Sequence, residues 1–151
     1  MEDNSVFENF ELQLNQTAKD FLKETAKWAY FLSILGFILI GFLVIIAVFA
    51  GTFLASMGSI VPGMGGMGGS FGLVMGILYF GIAALYFFPV YYLFKFASNT
   101  KAAFRDNDSE ALTNSLGYLK SHYKFIGIMT VVILGFYVLM IVLMFLGALM
   151  R

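Results

Sequence analysis

The chain has 151 residues, of which 60% are hydrophobic and 12% charged, and its mean hydropathy is +0.87. Soluble domains are only about half apolar, so this composition excludes an ordinary soluble protein. Nine basic residues balance nine acidic ones, which predicts no nucleic-acid partner, and the absence of cysteine excludes disulfides, thiolate metal sites and cysteine nucleophiles.

Charged residues are confined to a few segments of the chain. No Asp, Glu, Lys or Arg occurs between Lys27 and Lys95, or between Lys124 and Arg151. A helix needs about 20 apolar residues to cross a hydrocarbon core about 30 Å thick. Transmembrane helices are therefore predicted at residues 28–57, 72–94 and 125–150. Because the apolar runs are continuous and do not alternate, they favour helices over barrel strands. The predicted fold is an all-α integral membrane protein, a single domain over residues 1–151 whose main partner is the lipid bilayer.

The segment before the first span, residues 1–27, is rich in acidic residues and does not resemble a signal peptide. Ser5 followed by Glu8 is a capping-box pattern that predicts an amphipathic helix from Val6. Apolar residues then recur at helical spacing at Phe7, Phe10, Leu14, Ala18 and Phe21. This stripe is expected to lie on the lipid headgroups or on the protein's own cytoplasmic loop, with a docked partner as the alternative.

Small residues recur every fourth position on the first two spans. They are Ala47, Gly51 and Ala55 on the first span, followed by Gly72 and Gly76 on the second. Apolar burial provides little drive for association in lipid, so close packing at small residues must supply it. We expect the first two helices to form a hairpin that is tightest near Gly51 and Gly76. An oligomer contact or exposure to lipid are the alternatives.

Methionines cluster towards the predicted outer side. Met64 and Met67 lie in the glycine-rich loop 58–71, and Met140 and Met144 lie one turn apart on the third span. Thioethers can bind Cu(I), and three spans with paired methionines loosely resemble the high-affinity copper transporters. Those proteins place their N-terminus outside and the pair on the second span, unlike this chain. Because methionine also fills apolar packing, no metal or cofactor is predicted and Cu(I) handling is the least favoured alternative.

Pro89 lies inside the second span, where it removes a backbone N–H and clashes with the carbonyl of Leu85. A kink is therefore predicted at this position. Transporters use broken helices to bind substrate, but no charge accompanies this proline within the span. A structural role is favoured.

The segment 95–124 is predicted to be a cytoplasmic loop followed by a helix. Residues 106–108 form a polar turn, in which Asn107 is expected to cap a helix through Glu110. An apolar stripe follows at Leu112, Leu116, Leu119 and Tyr123. This stripe and the N-terminal one either bury each other or lie separately on lipid.

Aromatic residues flank the predicted spans on their basic side. The expected interfacial anchors are Trp28, Tyr91, Tyr92, His122 and Tyr123. His122 is the only histidine, and no carboxylate lies near it in sequence to orient it as a general base. The chain also lacks HExxH, GxSxG and phosphate-loop motifs, so no catalytic residue is predicted and no enzyme is expected.

Basic residues predict the orientation. Lysines precede the first span and populate segment 95–124, whereas loop 58–71 has no charge. The positive-inside rule places the N-terminus and segment 95–124 in the cytoplasm, with Arg151 outside.

Three phrases carry a resemblance to a known family. They are AKWAYFLSILGF at 26–37, YFFPVYYLFKF at 86–96 and LKSHYKFIG at 119–127. The chain resembles a family of small three-span membrane proteins with a domain of unknown function, found mainly in Bacteroidetes-type bacteria. The resemblance implies a bacterial cytoplasmic (inner) membrane protein and assigns no site residue. We expect a non-enzymatic structural or accessory subunit that associates with itself or with a partner membrane protein. The alternative is a small transporter or channel, whose pore would require oligomerisation.

Overall fold

The computed structural model describes residues 15–60 and 67–149, which form three α-helices. These are α1 (Gln16–Ile60), α2 (Met67–Asp106) and α3 (Ser109–Leu149). Each contains a stretch long and apolar enough to cross a membrane, and neither described range contains a strand. The predicted all-α, three-span, multi-pass membrane fold is confirmed.

Helix α1 is continuous from outside the first span into it. Residues 1–14, which include the predicted Ser5–Glu8 cap, lie outside the described part of the chain. Asn15 caps α1, because its Oδ1 accepts a hydrogen bond from the backbone N–H of Ala18 at 2.8 Å. Neither glycine nor proline occurs from Gln16 to Leu35, so nothing breaks the helix at the predicted boundary with residue 28.

Helix α2 is longer at both ends than residues 72–94, the span predicted from hydropathy. It begins at Met67, and α1 continues to Ile60, so both helices extend into the predicted loop 58–71. At its other end α2 continues to Asp106 without a loop. Residues 90–106 also lack glycine and proline, and the burial of Phe96 and Ala103 stabilises the helix there. The chain is α-helical on both sides of Pro89, and the kink stays a prediction.

A two-residue turn joins α2 to α3. Asn107 has a left-handed backbone (φ 53°), and the N–H of Asp108 donates to the carbonyl of Ala103 at 3.0 Å, which is the hydrogen bond of a Schellman motif. The Oδ1 of Asp108 accepts the N–H groups of Glu110 at 2.8 Å and Ala111 at 3.1 Å. The predicted cap at Asn107 is therefore wrong: Asp108 caps α3, because Asn107 is used to end α2.

Beside this turn, Arg105 and Asp106 form an exposed ion pair at 2.8 Å. The hydrogen bond from Arg105 lowers the pKa of the Asp106 carboxyl. The end of the molecule that contains residues 105–108 is called the turn end below, and the opposite end, towards Ile60 and Met67, the hairpin end.

Helix α2 lies between the other two helices. Within residues 15–60 and 67–149, no Cα of α1 comes within 8 Å of a Cα of α3, whereas α2 packs against both. Phe96 is 0% exposed and clusters with Ala29 and Ala97. Around this cluster pack Leu22 from α1, Leu93 from α2, and Tyr118 and Leu119 from α3. The helices therefore share a core near the turn end.

The face that α3 turns to this core differs from the predicted stripe. Ser115 is buried, and Tyr118 and Leu119 pack on the cluster, whereas Leu116 and Tyr123 are exposed. Leu119 of the predicted stripe packs on the core, and contact of the exposed Leu116 and Tyr123 with lipid stays a prediction.

Candidate functional site

Small residues bring α1 and α2 close together near the hairpin end. A Cβ added to Gly51 would lie 3.4 Å from the carbonyl oxygen of Gly72, and one added to Gly76 would lie 3.3 Å from that of Ala47. Both neighbours are backbone atoms, which cannot move away as a side chain can. The structure thus brings together Ala47, Gly51, Gly72 and Gly76, while the side chain of Ala55 lies outside the described part.

An apolar groove of about 560 Å³ opens beside this glycine contact. Its walls come from both helices and include Val48, Leu73, Ile77 and Phe80. The groove lies within segments that contain no charged residue, so an apolar side chain or a lipid chain is the chemistry it fits.

A second close approach, which the sequence analysis missed, lies at Gly36. A Cβ there would be 2.8 Å from Cγ2 of Val90, so a larger residue would force either the Val90 side chain or α2 to shift. The signal was available in the sequence: Ala26, Ala29, Ser33 and Gly36 recur at spacings of three and four. The first three are at most 5% exposed.

Aromatic rings fill the α1–α2 interface around Gly36. The ring of Phe37 lies 6.0 Å from that of Phe87 and 5.9 Å from that of Phe94, measured between centroids. Tyr30 lies 5.6 Å from the same Phe94 ring. Such tilted and edge-on pairs stabilise packing beyond the area they bury.

His122 joins α3 to α2 at the proline. Its Nδ1 lies 2.7 Å from the carbonyl oxygen of Pro89. Because a carbonyl only accepts, Nδ1 must carry the hydrogen. The ring of Phe125 lies 6.0 Å from that of Phe88, which adds an apolar contact on the same face. His122 was predicted as an interfacial anchor, and the structure gives it a hydrogen bond between helices.

The other predicted anchors differ in exposure. Trp28 is 61% exposed and Tyr123 is 66% exposed, and their role as interfacial anchors stays a prediction. Tyr91 stacks on Phe87 at 5.9 Å, and the ammonium of Lys95 lies 5.7 Å from its ring centroid. Tyr92 is half-buried.

The far half of α3 contains no buried residue. Every residue from 130 to 149 is exposed, including Met140 and Met144. Met64 and the side chain of Met67 lie outside the described part, so the structure does not place the four methionines together. In the described ranges, no three His, Cys, Asp or Glu side chains are grouped closely enough to hold a metal ion.

Three hydroxyl side chains are fully buried near the turn end. Those of Ser33 and Ser115 donate to the carbonyls of Tyr30 and Leu112, each at 2.7 Å. The Oγ1 of Thr100 has no hydrogen-bond partner among the described residues. Such a group costs about 1–3 kcal/mol, and sequence patterns gave no sign of it.

No protein-family model matches the chain, and neither the curated proteins nor the solved structures contain a significant match. The family resemblance drawn from residues 26–37, 86–96 and 119–127 therefore stays a prediction.

Proposed function

We propose that the protein is a non-enzymatic structural or accessory subunit of a membrane, which acts by packing its helices against a partner membrane protein or a second copy. The observation that carries this proposal is the far half of α3. All of residues 130–149 are exposed, whereas α1 and α2 approach to backbone contact at the same end of the molecule.

The hairpin end therefore offers two unlike apolar surfaces. Helix α3 presents large side chains on every side, such as Phe136 and Leu139, and the α1–α2 hairpin presents the groove beside Gly51 and Gly76. Helices associate in membranes where large side chains fit beside small ones. A partner helix in the groove, or on α3, would satisfy this rule.

The orientation belongs to the same proposal. We place the turn end in the cytoplasm of a bacterial cell and Arg151 outside, because all basic residues except Arg151 flank the turn-end side of the spans. An alkaline-phosphatase fusion after Arg151 should be active, and one within residues 107–109 inactive. The reverse pattern would overturn the orientation.

Native mass spectrometry of the full chain in nanodiscs tests the association. We expect a co-purifying membrane protein or a defined oligomer. Since the chain has no cysteine, Val138→Cys on α3 and Thr52→Cys at the groove supply single cross-linking sites. A matched control is Lys101→Cys at the turn end.

Cross-linking at Val138 or Thr52 with none at Lys101 would support the proposal. A monomer without a partner, and without cross-links at either site, would overturn it. A closed ring of copies would instead favour the alternative of a channel, since three helices without charge offer no polar lumen by themselves.

A further inference from the structure

Lys120 and Lys124 of α3 lie at a height along the axis of the helix bundle, called the level here, where α1 has no charged residue. Two contacts with α2 fix the level: His122 touches Pro89, and Gly36 touches Val90, the next residue. Lys120 and Lys124 flank His122 by two residues on either side, so each lies within roughly 3 Å of this level along the helix axis.

On α1 the same level is far beyond the last charged residue. Lys27 precedes Gly36 by nine residues, or roughly 13 Å at 1.5 Å per residue. Between them α1 exposes the large apolar side chains of Phe31, Leu32 and Leu35. Lipid chains must cover these residues if α1 is to avoid placing them in water.

Lys120 and Lys124 point away from the bundle. They are one turn apart and exposed, on the side of α3 opposite to Ser115, His122 and Phe125, which face α2. No acidic residue follows Glu110 on α3, and the ion pair found among the described residues is that of Arg105 at the turn. Within residues 15–60 and 67–149, no carboxylate pairs with either of these two exposed ammonium groups.

We propose that Lys120 and Lys124 bind the phosphate groups of acidic phospholipids, at a level where α1 is still in contact with lipid chains. Charge complementarity selects the ligand, because paired ammonium groups beside an apolar helix match an anionic headgroup with attached chains. The membrane boundary consequently meets α3 deeper than α1. Tilt of the bundle or local thinning of the bilayer provides this geometry. The proposal does not depend on the association proposed above.

Lipid retention tests the site directly. The full chain is reconstituted in nanodiscs that contain phosphatidylcholine and phosphatidylglycerol, and bound lipids are counted by native mass spectrometry. We expect phosphatidylglycerol to be enriched roughly tenfold to thirtyfold, the scale that two lysines near an anionic surface supply. The double variant Lys120→Gln/Lys124→Gln should lose this enrichment, and Lys120→Arg/Lys124→Arg should keep it.

The matched control is Lys19→Gln/Lys101→Gln, which removes two exposed lysines near the turn end. It should retain the enrichment. Equal retention by the Lys120/Lys124 glutamine variant and the unaltered chain would overturn the proposal, as would equal loss in the control. Circular dichroism in phosphatidylcholine alone should show that all variants keep their helix content.

Competition identifies the source of the phosphate. Inorganic phosphate and glycerol phosphate at millimolar concentration should leave the bound phosphatidylglycerol in place, because neither supplies lipid chains. Displacement by either would show a soluble-anion site and would overturn the assignment to lipid.

Depth measurement tests the sloping boundary. Leu35 and Tyr123 are both exposed and lie next to Gly36 and His122, respectively. Nitroxide labels are placed on Leu35→Cys and Tyr123→Cys, and their accessibility to two relaxation agents is compared. The label at position 35 should be more accessible to oxygen, and the label at position 123 more accessible to a water-soluble nickel chelate. Equal depth for the two labels would contradict the inference.

Discussion

Helix α2 holds its two neighbours in different ways. Its contact with α1 extends from Lys23, whose ammonium lies 5.1 Å from the Phe104 ring centroid, to the glycine contact near the hairpin end. Its contact with α3 includes the ring pair of Phe88 and Phe125, and every residue of α3 from 130 to 149 is exposed. The comparison shows which side chains hold helices together where lipid is the alternative neighbour.

Small residues account for the difference. Helix α1 turns Ala29, Gly36, Ala47 and Gly51 towards α2 over nearly the whole interface. Beyond Phe125, α3 has no comparable series, and a Cβ on its Gly135 would meet nothing within 4 Å. Because lipid chains solvate leucine as well as protein does, large apolar side chains alone provide little net attraction between α3 and α2.

The largest effect is expected where all three helices meet. Phe96→Ala should lower the free energy of unfolding by about 3–5 kcal/mol, because it leaves a cavity in place of a side chain that is 0% exposed. Denaturant titration in mixed micelles, followed by circular dichroism, measures the change.

Phe136→Ala on the free half of α3 is the matched control for Phe96, since its ring is 60% exposed. It should change the free energy of unfolding little. Equal losses at the two positions would show that the far half of α3 is packed, and the contrast between the two neighbours of α2 would fail.

The next effect concerns the glycine contact. Gly76→Leu should cost about 1–3 kcal/mol, because the new side chain meets the carbonyl of Ala47 and must push the helices apart. A Cβ added to Gly81 on the same helix meets nothing within 4 Å, so Gly81→Leu should be neutral or slightly stabilising, since leucine favours helix over glycine. The apparent melting temperature in detergent separates the two variants. A loss at Gly81 as large as that at Gly76 would contradict the interface.

The sequence was sufficient to predict the spans and this contact. Charge is so costly in lipid that its absence marks the three spans, and glycine at every fourth position marks a close face. Loop lengths were predicted poorly, because hydropathy falls where a helix leaves the membrane even though the helix continues. The extension of α2 to Asp106 is such a case.

Contacts between distant segments were harder to predict. The proximity of His122 to Pro89 depends on how far α3 slides along α2, which the two-residue turn and the packing on Phe96 determine. The choice of Asp108 over Asn107 as the cap depends on which residue adopts the left-handed conformation, and both types favour turns.

The turn itself offers a smaller and local test. Asp108→Ala should cost about 1 kcal/mol, because the backbone N–H groups of Glu110 and Ala111 lose their acceptor. Asp106→Ala removes a neighbouring carboxylate that only pairs with exposed Arg105, and it should have no measurable effect. Amide hydrogen exchange should be faster in the first turn of α3 for Asp108→Ala alone. Faster exchange in both variants would contradict the assignment of the cap.

The smallest effect is expected at His122, where α3 is joined to α2 by a hydrogen bond. His122→Phe keeps a ring against α2 but removes the donor to the carbonyl of Pro89. Hydrogen bonds between membrane helices contribute about 0.6 kcal/mol on average, so the free energy of unfolding should fall by about that amount. Tyr123→Phe, on an adjacent exposed ring, should leave the free energy of unfolding unchanged.

Because the carbonyl of Pro89 accepts only from its own helix in His122→Phe, spin labels at Tyr86 and Ile128 should report a broader distance distribution between α2 and α3. If both the distance distribution and the stability were unchanged, the packing around Phe96 alone would hold α3 against α2. The hydrogen bond of His122 would then contribute nothing to the contact between α2 and α3.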